Sequence, residues 1–446
     1  MRSPEQLYPV VVEWLKVLGV VHHRTALDAL AHLVSAVLVC QSLRPADVMR
    51  AWLSEVAVPA RTGYRRRARG LDRPWLTSAT VTPGLVRAVL ALVAPDPAGC
   101  PTAGQTHLVL DSVRGGAWEF LTLGVAWHSR VLPIAWAVLP YPWPKGQFGP
   151  LVCRLVRQVG AVWPAERPVQ LVADRAFPSR ALLLTLQALG WGWTLRLAAT
   201  RPLTVAGQPE RVRDRLAGAP SDAWTSEAVG YGHGETPIPG RLVIGRGDGV
   251  VPAHQAGPAS QRQRAQQQTQ RARHLRHKHP GRPDASAQTD AWVVLFTTQP
   301  TVAAARASYR RRWTTEGTYR DLQGGWDGHH GWQLEDLVEQ AGARQRPERL
   351  DALLGLWAVA TLVQTWLGVQ VSDPEAPAAV QAVVRGWTTT GRLSVWAHGH
   401  FALTERSGRL TAWLTQTLLA GAAHLALAPP VPTTPPTPIL RRLEAA

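Results

Sequence analysis

Cysteine is scarce in this sequence. Cys40, Cys100 and Cys153 are the only three in 446 residues, and no two of them form a CxxC pair. This spacing supports neither a structural zinc site nor a disulfide framework.

Acidic residues and lysines are also few. Asp and Glu total 31 against 48 Lys and Arg, a formal net charge of +17, and only three of the 48 are lysines. The bias toward arginine is what a GC-rich genome produces, but that bias does not explain the excess of base over acid. A positive field attracts polyanions, so the composition favours nucleic acid or an anionic membrane surface as a partner.

The N-terminus lacks the charged, apolar and small-residue order of a signal peptide. One apolar stretch, from Leu350 to Val371, has nearly membrane-spanning length. It contains Asp351 and Gln364 and stands alone, so it is interpreted as a buried core helix and not as a membrane span. We expect a cytoplasmic, nucleoid-associated protein with no membrane partner.

The order of apolar runs predicts an α/β fold. Helical periodicity at 24–58, broken at Arg44-Pro45, indicates a helical N-terminal region that ends near Ala103. The next elements are predicted as strands at 106–111, 117–127 and 131–140, a helix at 147–160, a strand at 169–174, a helix at 178–190 and a strand at 193–199. This order is typical of a ribonuclease H-like sheet. A last strand at 290–298 and one long helix at 302–323 follow.

A long irregular stretch separates these elements at 200–289. Its segment 261–283 is rich in Gln and Arg and nearly free of acids. Two interpretations stay open for this basic segment, a solvated disordered loop or an arm that contacts the DNA backbone.

Two aspartates follow apolar runs. Asp111 ends LVLD and Asp174 ends LVAD. Carboxylates at strand ends lie where an α/β sheet opens to a cleft, and with a third acid they can hold divalent cations for phosphoryl transfer. An Asp after a strand is also a common turn former or helix cap.

The third acid lies in a predicted helix. Tyr309, Arg312, Glu316, Arg320 and Gln323 are spaced by three or four residues, so they share one helix face. That face can present a metal ligand and phosphate-binding groups together. The alternative is an ordinary surface helix with Glu316 paired to its neighbouring arginines.

These residues resemble a known family. The segment around Tyr309, Arg312 and Glu316 is similar to the Y-x2-R-x3-E-x6-K motif of the bacterial insertion-sequence transposases of the IS-four family, relatives of the Tn-five-type enzymes. LVLDS and VADRAFPS resemble the two Asp boxes of that family. The sequence departs at the last motif position, where Gln323 replaces the expected Lys.

The resemblance implies an α/β protein with a ribonuclease H-like catalytic domain at 104–345, including a β-rich insertion at about 200–289. A helical DNA-binding region (1–103) and a helical region with a Pro-rich tail (346–446) flank it. Asp111, Asp174 and Glu316 would be the catalytic residues and would bind two Mg²⁺ or Mn²⁺ ions.

The resemblance also implies DNA contacts by Tyr309 and Arg312, which would bind phosphates, and by Trp313, the candidate to stack on a flipped base. Gln323 stands where the family has Lys, and we expect Arg320, on the same predicted helix face, to contact DNA with it and to supply the positive charge that Gln323 lacks. The partners would be double-stranded DNA, as terminal inverted repeats and as target, and a second copy of the chain in a homodimer on DNA.

Two rival functions stay open. One is a catalytically decayed relative that only binds DNA, which Gln323 favours and the intact acid set opposes. The other is a repair or junction nuclease with the same metal chemistry, which would not need the Tyr309, Arg312 and Glu316 spacing. The adjacent His329 and His330 are interpreted as loop or phosphate contacts.

Overall fold

The structure is a computed structural model that describes most of the chain. The described residues are 3–19, 23–53, 76–95, 97–115, 117–128, 130–219, 223–232, 236–246, 292–323, 348–387, 395–404 and 410–428. The basic segment 261–283, His329 and His330, and the Pro-rich tail lie outside them. The side chains of Arg320 and Gln323 also lie outside the described part.

The chain divides into two compact units. The first comprises Met1–Pro95, Leu108–Arg167 and Thr314–Ala445, and the second comprises Asp96–His107 and Pro168–Trp313. Both units contain helices and strands, so the predicted mixed α/β class is confirmed. These units differ from the three predicted regions, because contacts in space define a unit whereas each predicted region is continuous in sequence. The N-terminal and C-terminal helical regions both belong to the first unit.

Ten helices of the described residues belong to the first unit. They are α1 (Pro4–Val17), α2 (Arg24–Cys40), α3 (Pro45–Leu53), α4 (Ser78–Leu92), α5 (Phe148–Gly160), α9 (Thr314–Gln323), α10 (Glu348–Val371), α11 (Ala378–Trp387), α12 (Val395–Thr404) and α13 (Thr411–Leu427). The predicted break before Pro45 is confirmed. Gln41 ends α2 in the left-handed region, at a φ of 50°, and Pro45 opens α3, where its missing N–H costs no hydrogen bond.

The first unit contains an antiparallel group of three strands among its described residues. Its strands are β1 (Thr106–Gly115), β2 (Trp118–Trp127) and β3 (Arg130–Pro140), in the order β3-β2-β1. Helices α4, α5, α9 and α10 pack against β3. β2 is buried along nearly its whole length, as expected of a strand flanked on both sides.

Asp111 does not end its strand, and this prediction was wrong. β1 continues to Gly115 because the antiparallel partner β2 pairs with it as far as Gly115 opposite Trp118. The residues after Asp111 are only partly buried, so the apolar run stops there although the strand does not. Asp111 therefore stands in mid-strand, opposite Thr122 on β2.

Helix α10 is a core helix of the first unit. Among the described helices it is the one long and apolar enough to cross a membrane. Of its most apolar 18-residue stretch, 89% is buried inside the protein. Its neighbours include α2, α4, α12, α13 and β3. A helix that is apolar on all sides is expected when protein surrounds it.

The described residues of the second unit contain seven strands. Its strands are β4 (Val169–Ala173), β5 (Gly192–Arg196), β6 (Pro202–Val205), β7 (Gln208–Arg211), β8 (Thr225–Tyr231), β9 (Ile238–Arg246) and β10 (Trp292–Thr297), in the order β4-β5-β10-β9-β8-β6-β7. β4 and β5 are parallel and the other pairs are antiparallel. Its helices are α6 (Arg180–Leu189), α7 (Val212–Ala217) and α8 (Val302–Arg310). The described part of the predicted insertion is thus rich in strands.

The predicted single helix at 302–323 is divided. α8 ends at Arg310, a 3₁₀ turn spans Arg311–Trp313, and α9 begins at Thr314. A 3₁₀ turn has three residues per turn instead of 3.6, so it rotates the residues after it relative to those before. The prediction of one regular helix over 302–323 was therefore wrong.

Candidate functional site

Asp174 follows β4 directly, as predicted. Successive residues of a strand alternate between its faces, so Asp174 lies on the same face as Val172. Val172 belongs to a buried cluster that includes Tyr309 of α8. The Tyr309 hydroxyl donates a hydrogen bond to Asp174 Oδ1 at 3.3 Å, and Arg196 Nη1, from the end of the parallel strand β5, lies 3.7 Å from the same oxygen.

Neighbouring positive charges keep the Asp174 carboxylate ionised although it is partly buried. Burial favours its neutral form, but the charges of Arg312, Arg196 and Arg175 and the backbone N–H of Arg175 outweigh burial, so the pKa of Asp174 lies below its ordinary value. Burial and the charge of Asp174 raise the pKa of Tyr309, so this residue is a hydrogen-bond donor at neutral pH.

Arg312 is buried in the 3₁₀ turn, with 7% of its surface exposed. Its guanidinium carbon lies 4.3 Å from the centre of the Trp313 ring and 6.0 Å from that of Tyr309. Stacking of this kind lowers the cost of burying a guanidinium, which is less strongly hydrated than an ammonium. The second unit thus groups three residues that the sequence singled out, Asp174, Tyr309 and Arg312.

Asp111 is held by hydrogen bonds within the first unit. Its Oδ1 accepts from the backbone N–H of Ser112 at 2.9 Å, and its Oδ2 accepts from the Thr315 hydroxyl at 2.7 Å. Thr315 fixes the direction in which the carboxylate points.

Helix α9 is fastened to the sheet of the first unit by polar side chains. The Thr318 hydroxyl oxygen accepts from the Val131 backbone N–H at 2.8 Å, and the Tyr319 hydroxyl lies 2.6 Å from the hydroxyl of Thr122. Thr315, Thr318 and Tyr319 are spaced by three and one residues and form one buried helix face. Glu316, in the first turn, is half-buried beside Thr315.

The structure therefore arranges the predicted site residues in two sets. Asp111 and the helix that carries Glu316 belong to the first unit, whereas Asp174, Tyr309, Arg312 and Trp313 belong to the second. Within the described part of the chain, no three His, Cys, Asp or Glu side chains form a group that could hold a metal ion. The three-carboxylate metal site stays a prediction. The DNA contacts of Arg320 and Gln323 stay predictions as well.

Two polar residues were missed from the sequence. Arg196 was missed because it lies in a run, WTLRLAA, that gives no sign of which neighbour its charge meets. Thr315 was missed although it precedes Glu316, because a threonine in a helix is usually an unremarkable surface residue. The spacing of residues in β5 was an available signal, because residues two apart in a strand share a face and this places Arg196 on the same face as Thr194.

No protein-family model matches the sequence, and no curated protein matches it significantly. The resemblance to the insertion-sequence transposases rests on the motif residues alone.

Proposed function

We propose that this protein is a metal-dependent DNA transposase of the DDE type, which cuts the ends of a mobile element and joins them to target DNA. The observation that carries the proposal is the contact between motif residues in the second unit. Tyr309 and Arg312, which the motif pairs with a catalytic glutamate, both act on the carboxylate of Asp174. An ordinary surface helix would not direct these two residues to one half-buried acid.

The order of elements supports a ribonuclease H-like core. The chain runs β1, β2, β3, α5, β4, α6, β5, which is the predicted order of three strands, helix, strand, helix, strand. The strand-rich segment between β5 and β10 agrees with the insertion that the family resemblance implies.

The donor set of the proposed site suits a hard divalent cation. Asp111, Asp174 and Glu316 are all carboxylates, and carboxylate oxygens prefer Mg²⁺ or Mn²⁺ over softer metals. When bound, such ions would activate a water or hydroxyl group and stabilise the leaving oxygen of a phosphoryl displacement.

The residues of the chain would prepare the site for that chemistry. Arg312 and Arg196 keep Asp174 ionised, as a metal ligand must be. Thr315 and the Ser112 backbone N–H hold the Asp111 carboxylate in one orientation. Glu316 lies in the first turn of α9, and the adjacent face of this helix is hydrogen-bonded to β2 and β3. We place the protein in the cytoplasm, on the nucleoid, and expect a homodimer on DNA.

A transposition assay in cells tests the proposal. A marker gene is placed between the DNA segments that border this chain's own coding sequence, and its movement to a recipient plasmid is counted. We expect movement with the natural chain and none with Asp174→Asn. Binding to those segments without movement would favour the decayed relative. Mg²⁺-dependent cleavage of branched DNA at the same rate with and without the bordering segments would favour the junction nuclease.

A further inference from the structure

Trp224 lies flat on the sheet of the second unit. A Cβ atom added at Gly245 of β9 would come within 2.2 Å of the Trp224 ring, so only glycine at this position lets the indole lie against the strand. Trp224 also packs on the cluster that contains Val172 and Tyr309. The ring is therefore on the sheet face that carries Asp174.

Arg306 of α8 rests on this ring. Its guanidinium carbon lies 4.6 Å from the centre of Trp224. Its Nε is buried and has no hydrogen-bond partner among the described residues. Stacking on the indole fixes the plane of the guanidinium but satisfies none of its N–H groups.

A second positive charge lies close to Arg306. Arg310 follows one helical turn later, and the segment 298–315 contains four arginines and no acidic residue. Burial and the charge of Arg310 lower the pKa of Arg306. Like charges at this spacing repel each other, so an anion that bridges them would be bound favourably.

We propose that Arg306, held on Trp224, forms with Arg310 a binding subsite for a nucleic-acid phosphate on the Asp174 face of the second unit. A phosphate oxygen would accept from the Arg306 N–H groups, and Trp224 would act as the platform that positions them. None of these residues belongs to the transposase motif. The inference rests on the proposed function, because it makes DNA the source of the phosphate.

The test measures binding of a short fluorescein-labelled duplex of random sequence to the full chain, from about 50 to about 200 mM KCl. Arg306→Ala should bind roughly ten-fold more weakly at the low-salt end, and the slope of log affinity against log salt should flatten by about 0.9, the value for one phosphate contact. Arg213→Ala is the matched control, since it removes an exposed arginine of the same unit that lies 3.5 Å from the carboxylate of Asp214.

Arg306→Gln guards against a folding defect, because it keeps an aliphatic stem against Trp224. Weaker binding and a flatter slope in both Arg306 variants, with Arg213→Ala unchanged, support the subsite. An affinity and slope equal to those of the natural chain overturn it and leave DNA binding by other residues intact. If the natural chain itself binds no DNA, the proposed function fails, and the subsite fails with it.

Discussion

The ionisation state of the Asp174 carboxylate is decided by the charged side chains around it. Its burial alone would favour the neutral acid, and the charges of Arg312 and Arg196 reverse that preference. Because its pKa is lowered in the folded state, Asp174 contributes stability that is present above its unfolded pKa of about 3.9 and is lost as the pH falls through the folded value.

Replacing Arg312 should change this pH dependence. In Arg312→Leu the Asp174 carboxylate stays half-buried but loses its strongest counter-charge, so its pKa should rise. The free energy of unfolding should then differ from that of the natural chain most at about pH 7, and the difference should narrow as the pH falls toward about 3.5. Urea unfolding over this range measures it.

The same measurement on Asp174→Asn, with and without Arg312→Leu, is the control. The difference in the free energy of unfolding between these two chains should not narrow as the pH falls. Suppose that Arg312→Leu changes the free energy of unfolding by the same amount at every pH, both with Asp174 present and with Asp174→Asn. Arg312 then does not stabilise the ionised carboxylate.

Thr315 should act as a positioning residue for Asp111. Thr315→Val keeps the shape of the side chain but removes the hydroxyl, so the rate of Mg²⁺-dependent DNA cleavage should fall about 10- to 100-fold, with more Mg²⁺ needed for half-maximal rate. Thr315→Ser should restore both values. Thr318→Val is the matched control, because it removes a hydroxyl that binds a backbone N–H and not a carboxylate. An equal rise in the Mg²⁺ requirement for both valine variants would refute the role.

At the scale of elements, most helices and strands could be predicted from apolar periodicity. The α2 to α3 break and the strand before Asp174 are where the pattern put them. The end of β1 could not be predicted, because its last residues are half-exposed and are held by pairing with β2. The 3₁₀ turn at Arg311–Trp313 gives no signal either, since three consecutive residues with good helix propensity continue the pattern.

The crossing of α10 and α12 depends on Gly399. A Cβ atom there would lie 1.9 Å from the backbone oxygen of Gln364, so the two helices are in backbone contact at this point. Gly399→Ala should therefore lower the free energy of unfolding by about 1–3 kcal/mol, the usual cost of overpacking, although alanine favours helix.

Gly149→Ala, in α5, is the control for that substitution. A Cβ atom at Gly149 would meet nothing within 4 Å, so alanine should be neutral or slightly stabilising there. Thermal or urea unfolding of both variants compares them. A Gly399→Ala chain as stable as Gly149→Ala would mean that the helices do not cross so closely.

At the scale of the whole molecule, a positively charged chain carries a small set of candidate catalytic acids. The net charge of +17 suits DNA as the partner. Asp174 lies near arginines, and Asp111 accepts a hydrogen bond from a hydroxyl group. The composition favours a polyanionic partner, and that partner stays a prediction. The composition could not predict that Asp111 and Asp174 would belong to separate compact units, because that division arises from long-range packing.

The central claim is that these three carboxylates together support metal-dependent cleavage of DNA. The most direct measurement is the rate of strand cleavage by purified protein in Mg²⁺, on DNA that carries the segments bordering its own coding sequence. We predict cleavage by the natural chain, and none by Asp111→Asn, Asp174→Asn or Glu316→Gln, each of which should still bind the DNA. Cleavage that persists in any one of the three folded variants would contradict the account.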